Sequence, residues 1–374
     1  MARAGPSAAL LGVPQATGVS YPPSVMREAE PHLKDFSIER LRTRFAAEGI
    51  EPWRAEQVAG WLYARGVEDP AQWTDVSAAL RDRFANAWQR RALEWDAVSV
   101  SADGTVKGRL RARDGALIES VMIPEGERNT LCISTQVGCP LACSFCATGA
   151  LGFTRNLGVA EILDQVCRMR EKLAPEQRLT NVVFMGMGEP LLNLPNVIEA
   201  VRVLLHPKAF ALGPRKITVS TAGVVPKIAT LLQSVPVNLA VSLHAPTDAV
   251  RDVLVPINRR FPLAVLFEAL RALPEVSVRR PIFFEYTLMQ GVNDSLDDAR
   301  RLVRLVRGLP SKLNLIPMNA HADAPYRPPH EADVARFAAV LVGAGLTVTV
   351  RRPRGADIDA ACGQLAARGA RPAA

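Results

Sequence analysis

Three cysteines, Cys139, Cys143 and Cys146, follow one another as Cys-x3-Cys-x2-Cys within the stretch GCPLACSFC. Thiolates are the usual ligands of iron-sulfur clusters, and three of them are one fewer than the irons of a four-iron cubane. One iron is left open. It can chelate the amino and carboxylate groups of S-adenosylmethionine and pass an electron into the sulfonium bond, so the loop predicts radical chemistry at a 4Fe-4S cluster. A zinc site and a purely structural cluster are the competing readings, although zinc is usually held by paired Cys-x2-Cys or Cys/His sets with a fourth ligand nearby.

Other polar residues fall where a cofactor would need them. The run GMGEP, Gly186 to Pro190, ends a predicted strand; its glycines allow a ligand to approach the backbone and Glu189 can hold an ammonium group. Gly-x-Gly also makes ordinary turns, so the motif gains weight only from its place on the strand after the cluster loop. Ser220, Ser242, His244 and Asn319 each close a strand, where they can bind a ribose, a carboxylate or an adenine edge, or merely satisfy their own turns. Among the remaining cysteines, Cys167 in EILDQVCRMREK reads as a core residue. Cys132 lies in the strand leading into the cluster loop and Cys362 in a polar stretch near the carboxyl terminus; for both, inert burial and chemistry stay open.

The elements that must position these residues follow from periodicity. Residues 35–95 alternate apolar and charged groups at helical spacing, as in FSIERLRTRFAAEG, and predict a small helical accessory domain. All five tryptophans fall there, and a compact core explains them better than an RNA-stacking surface. Residues 96–128 predict a β-hairpin linker around the turns at Asp103, Gly104 and at Asp114, Gly115. Six short apolar runs then alternate with helical stretches, from LCISTQV to KLNLIPM, each followed by a glycine-rich or polar segment. Loops at the carboxyl ends of barrel strands carry the chemistry of βα barrels, so the α/β fold expected over 129–368 is a partial (βα)6 TIM-like barrel with one convergent mouth. Residues 1–34 read as a flexible extension, broken by Pro6, Gly12 and Pro14 and poor as a secretory signal.

The bulk properties set the class of partner. With 374 residues, 48% of them hydrophobic, the chain can bury a large core, and a net charge of +8 favours a polyanion. No apolar run reaches the length of a membrane span. Six cysteines, four of them between 132 and 146, suit a metal or redox site in a reducing compartment and point to the cytoplasm.

Taken in order, the motifs resemble the RlmN/Cfr family of radical S-adenosylmethionine RNA methyltransferases over residues 36–368. The resemblance rests on PWRA from Pro52, Gln57, the WLY of Trp61 to Tyr63, CISTQVGC from Cys132, the cluster loop, GMGEP, SLHA from Ser242, IPMN ending at Asn319, and RGADIDAACGQ from Arg354 to Gln364. It implies methylation of C2 of an adenosine in 23S rRNA and in the anticodon loop of some tRNAs. That carbon lies between two ring nitrogens and is too electron-poor to attack a sulfonium methyl, so a radical route is required. The family pattern implies a cluster on Cys139, Cys143 and Cys146. It places S-adenosylmethionine, two molecules per turnover, against Gly188, Glu189, Ser220, Ser242, Leu243, His244 and Asn319. It makes Cys362 the carrier of a methyl group, Cys132 the resolving thiol that closes a disulfide with it, and Glu119 the group that assists proton removal, where the residue pattern alone gives a solvated strand position.

Reaching an adenine inside folded RNA means splaying it out and gripping its backbone, for which Arg279, Arg280, Arg351, Arg352 and Arg354 are candidates. The resemblance further implies RNA binding by the helical module, a flavodoxin-type electron donor, no membrane association and a monomer. A Cfr-type enzyme, which methylates C8, shares the same cysteines; a non-methylating iron-sulfur RNA-binding protein and a radical enzyme acting on a small metabolite are the more distant alternatives.

Overall fold

The computed structural model describes residues 32–319 and 325–367. Its centre is one ten-stranded sheet. Three antiparallel strands, β1 (Leu93–Val100), β2 (Val106–Ala112) and β3 (Leu117–Glu125), lead into β4 (Arg128–Cys132). Beside β4 run six further strands, all parallel: β7 (Asn181–Phe184), β8 (Ile217–Thr221), β9 (Asn238–Ser242), β10 (Ile282–Leu288), β11 (Ser311–Pro317) and β12 (Thr347–Val350). A separate two-stranded pair, β5 (Gln136–Gly138) and β6 (Phe153–Asn156), brackets the cysteine loop. β1 and β12 are the two edges, so among the described residues the barrel stays open.

Five of the six runs read as strands from the sequence are strands of this sheet with helices between them; the first, LCISTQV, splits between the end of β4 and β5 of the separate pair. β7 to β10 are largely buried on both faces and therefore read as continuous apolar runs. One face packs outward on helices: Phe284 of β10 stacks on Phe267 with centroids 5.4 Å apart, and Tyr286 meets Phe337 at 5.5 Å. Because side chains alternate along a strand, Glu285 and Thr287 point the other way, into the lumen. The hairpin expected at 96–128 is three strands rather than two. It extends the main sheet instead of linking two bodies, and it begins at Leu93, inside the range given to the helical module.

The amino-terminal module contains helices Ile38–Ala47, Arg54–Ala59 and Ala78–Ala87. Phe45, Phe84, Trp73 and Trp88 form its core, with ring centroids 5.4 to 5.8 Å apart along the chain of contacts. Trp61 is also buried and Trp95 lies on β1, whereas Trp53 is 52% exposed with the Arg54 guanidinium over its ring at 4.3 Å. The core account therefore holds for three of the five tryptophans and fails for Trp53.

Residues 32–34 do not belong to a loose extension. Lys34 is fully buried, and its Nζ lies 2.5 Å from both Glu68 and Asp164. Asp164 in turn accepts the amides of Ala92 and Leu93 at 2.8 Å, which ties the module and the start of β1 to the helix Val159–Arg170. Buried charges persist only when paired in this way. The rest of the proposed extension, residues 1–31, lies outside the described residues. Among the described residues no helix is long and apolar enough to cross a membrane.

Candidate active site at the barrel mouth

The cysteine loop leaves β5 and returns through β6, and the Cys139 amide donates to the Gly152 carbonyl at 2.7 Å. Cys146 ends the loop as the cap of a one-turn helix, Ala147–Ala150. Burial pushes the Cys139 thiol up to about 12. Burial and then the nearby Cys146 and Cys139 push the Cys143 thiol still further up. Cys139 and Cys143 thus resist ionising in this half-buried loop, and a multivalent cation is what would relieve them. Among the described residues no three His, Cys, Asp or Glu side chains converge on a point as the ligands of one ion do. A donor set of three soft sulfurs around a wider body fits an iron-sulfur cluster.

Next to the loop, GMGEP has a different physical reason from the one its sequence suggests. A Cβ at Gly188, where φ is +98°, would lie 2.5 Å from the Gln136 side chain, and one at Gly186 would lie 2.7 Å from the Ile133 backbone. The glycines are required because β5 and the end of β4 lie against them. Glu189 is likewise engaged by the chain: its Oε1 accepts the Leu191 amide at 3.0 Å and its Oε2 the Ala222 amide at 2.8 Å. Burial raises its carboxyl above the usual range while those amides oppose the shift. The Thr221 side chain bonds the same carboxylate, and the lone pair that remains can meet a ligand.

Ser220 and Ser242 meet across β8 and β9 with their hydroxyls 3.4 Å apart. Leu243 is buried behind them. His244 sits in the left-handed region at φ +57°. Its ring packs edge-on to Phe145 at 4.7 Å, and its Nδ1 accepts the Thr287 amide at 3.0 Å. Burial, then Arg251, lowers its pKa to about 3, so the ring is neutral and carries its proton on Nε2. Arg251 is a residue that sequence reasoning missed. Fully buried, it donates to the carbonyls of Ala222, Ser242 and Leu243 and to Asn258 at 2.7 to 3.1 Å, and so sets the ends of β8 and β9. A lone arginine on a helical run reads as a surface charge, so no sequence signal marked it. Asn319, at the end of β11, donates to the Cys362 carbonyl at 3.1 Å, and its buried Oδ1 has no partner among the described residues. Such orphan acceptors suit the amino and hydroxyl groups of a nucleoside cofactor.

Beyond β12 the chain crosses the mouth as a strap. Arg354 pairs with Asp103 in the β1–β2 turn and donates to the Pro124 carbonyl, and Ser101 donates to Asp357 at 2.5 Å. Farther on, the Ala147 amide donates to the Gly363 carbonyl at 2.8 Å, directly after the cluster loop. This path brings Cys362 beside Cys132 and Cys146. Cys362 keeps solvent contact, yet lies in a concavity whose walls push its thiol up, opposed by Arg351. Burial and then Cys362 push the Cys132 thiol up to about 12, again opposed by Arg351. Burial weakens the charge on Arg351 itself, but Cys362, Glu285 and Cys132 outweigh it. Glu119, expected from its pattern to be solvated, is 4% exposed; its Oε2 accepts the Ala366 amide at 3.0 Å.

Comparison with known proteins decides the family. The model of the radical SAM superfamily matches residues 133–304, and that of the ribosomal RNA large subunit methyltransferase N-terminal domain matches 32–89. The dual-specificity RNA methyltransferase RlmN of Geobacter sulfurreducens is 49% identical over 89% of this chain and 91% of its own length. That of Anaeromyxobacter dehalogenans is 47% identical over 92% and 94%. The chain belongs to the RlmN family. A solved radical SAM methyltransferase from Sphaerobacter thermophilus, 42% identical, superposes over 90% of this chain and all of that one with a TM-score of 0.84. The RlmN fold is thus a radical SAM α/β domain with a mostly parallel sheet and a helical amino-terminal region, and membership implies an iron-sulfur cluster and S-adenosylmethionine.

The arginines proposed for RNA divide within this fold. Arg279 and Arg280 precede β10, and Arg280 donates to the Val237 carbonyl just before β9. They lie at the amino ends of the parallel strands, away from the mouth. Arg351, Arg352 and Arg354 follow β12 at the mouth, but Arg351 is turned toward the two cysteines and Arg354 is spent on the strap; Arg352 remains exposed. Only Arg352 is left as a candidate contact to RNA at this end.

Proposed function

We propose that this chain methylates C2 of adenosine in 23S rRNA and in the anticodon loop of some tRNAs, in the cytoplasm, with Cys362 as the methyl carrier. The observation that supports the reading most is the meeting of Cys362 and Cys132 around one arginine beside the cluster loop. Two thiols 230 positions apart in the chain have no packing reason to share a half-buried cation.

Cys139, Cys143 and Cys146 would hold the cluster, and S-adenosylmethionine would lie against Gly188, Glu189, Ser220, Ser242, Leu243, His244 and Asn319. Bound there, the two groups would supply first a methyl cation and then, through one electron, the carbon radical that takes hydrogen from a methyl group, with one electron returned at the end. The residues of the chain do the rest. Cys362 accepts the methyl group on sulfur, and the strap holds it over the lumen. After hydrogen loss, its S-methylene carbon bonds to C2 of the adenine. Glu119 removes the C2 proton, and Cys132 attacks the Cys362 sulfur as a thiolate. The S–C bond breaks, an S–S bond forms, and the released methylene carbon takes a proton to become the methyl group. Arg351 favours the thiolate that this attack needs. The disulfide must then be reduced before another turnover, as a reducing compartment allows.

S-adenosylmethionine with a fully deuterated methyl group tests the reading. Digested product RNA should carry the label on C2 with one deuterium lost, because the carbon passes through a methylene stage. Retention of all three deuteriums would exclude the radical route, and label on C8 would assign the Cfr-type reaction instead.

A further inference from the structure

Between β2 and the strap lies a lysine that no motif marks. Lys107 is on β2, opposite Val121 of β3, and its side chain is only 15% exposed. Its Nζ lies 3.7 Å from Glu119 Oε1 and donates to the Asp359 carbonyl of the strap at 3.2 Å. The other Glu119 oxygen accepts the Ala366 amide, which also belongs to the strap. Directly opposite Glu119 on β2 stands Arg109, which is drawn to Asp96 on β1 at 2.5 Å. The carboxylate is thus held from both sides, by a cation that also grips the strap before Cys362 and by a strap amide after it.

Burying a long ammonium stem at the rim of a site is unfavourable unless its charge is used. A buried carboxylate that must take a proton from an RNA carbon needs a fixed direction, since a misplacement of about 1 Å can lower a rate about 100-fold. The geometry points to Lys107 as a positioning residue that aligns the Glu119 carboxylate with the strap carrying Cys362, so that proton removal is available only while the strap is seated. This rests on the reading of Glu119 as the group that removes the C2 proton. It assigns Lys107 to the release of product from the protein and not to methylation of Cys362.

Full-length Lys107→Met, reconstituted with its cluster and given S-adenosylmethionine and substrate RNA, separates these stages. Methylated Cys362 is expected at the unmodified protein's level, a covalent protein–RNA adduct accumulates, and free methylated RNA forms about 100-fold more slowly, at the lower end of what a placed general base contributes. Lys107→Arg, which keeps the charge, should restore release. In the protein without cluster, Lys107→Met should also speed hydrogen exchange at the Ala366 amide. Unchanged product formation in Lys107→Met would overturn the proposal, as would loss of Cys362 methylation, which would mean a structural role. Glu119→Gln distinguishes the two failures. If it fails to accumulate adduct, the reading of Glu119 falls; if it accumulates adduct while Lys107→Met turns over normally, only the role of Lys107 falls.

Discussion

The two halves of the barrel mouth are built by opposite means. The cofactor half, from the cysteine loop through the ends of β7, β8 and β9, is made of short contiguous motifs, each following its own strand. The methyl-carrying half is assembled from Lys107 and Glu119 on antiparallel strands, Cys132 on β4 and Cys362 on the strap; the contact between Ala366 and Glu119 spans 247 positions. Local motifs can be held by the sheet alone. A long-range assembly must be tied by side chains, and the strap uses Asp103, Ser101, Lys107 and Glu119 for this purpose. In the proposed reading the first half makes the radical and the second carries and releases the methyl carbon.

Changing one cysteine in each half should give the largest effects. Cys362→Ala should abolish RNA methylation while cluster absorbance and reductive cleavage of S-adenosylmethionine persist, whereas Cys139→Ala should remove all three. If cleavage also vanished in Cys362→Ala, the halves would not be separable. A smaller effect is expected from Asp103→Ala, which removes the carboxylate anchoring Arg354 and the Gly355 amide. Losing a charged hydrogen bond of about 1.5 kcal/mol should reduce Cys362 methylation roughly tenfold by leaving the strap unseated, with cleavage unaffected.

Exposed aromatic surface for RNA is offered by Trp53 in the helical module, 52% exposed, and by Phe153 of β6 beside the cysteine loop, 48% exposed. Trp53→Ala should weaken RNA binding about fivefold, as loss of about 1 kcal/mol of stacking would, without changing the melting temperature. An unchanged affinity would leave RNA capture to the mouth.

The smallest effect concerns pH. His244 in the cofactor half has its pKa lowered to about 3, first by burial and then by Arg251, from 6.5. Between those values the unfolded chain binds a proton that the folded site refuses, so the stability from burying the neutral ring is full above pH 6.5 and is lost progressively as pH falls toward 3. Asp103, in the β1–β2 turn that anchors the strap, is held below the usual carboxylate range by hydrogen bonds from Thr105, Gly355 and Ser101 that overcome its desolvation, so its contribution declines only below about pH 4. Denaturant midpoints of the apoprotein should therefore fall between pH 7 and 5; His32, lowered to about 4 by burial and then Lys34, adds to that slope, so His244→Gln should reduce it without abolishing it while Asp103→Ala leaves it unchanged.

Much of the cofactor half was legible because its information is local. The spacing of Cys139, Cys143 and Cys146, the six apolar runs and the residues closing them each occupy a few consecutive positions, and periodicity reads such segments directly. Even there, one reason for Gly186 and Gly188 is invisible in the local pattern, since the atoms that exclude a side chain belong to Ile133, just after β4, and to Gln136 of β5. Lys34 was taken for part of a loose tail for the same cause: its partners Glu68 and Asp164 are remote in sequence.

By itself, the sequence determined the parallel α/β architecture, and it is the source of the proposed sulfur ligands and, through resemblance, of the proposed roles of the two auxiliary cysteines. Only the tertiary structure decided that Glu119 is buried, that Arg351 serves the cysteines rather than RNA, that Arg251 braces two strand ends, and that Lys107 touches both the carboxylate and the strap. Charges on alternating strand positions look alike until the opposite face is known. Which of them is desolvated, and against which partner, depends on the crossing of segments that no local pattern encodes.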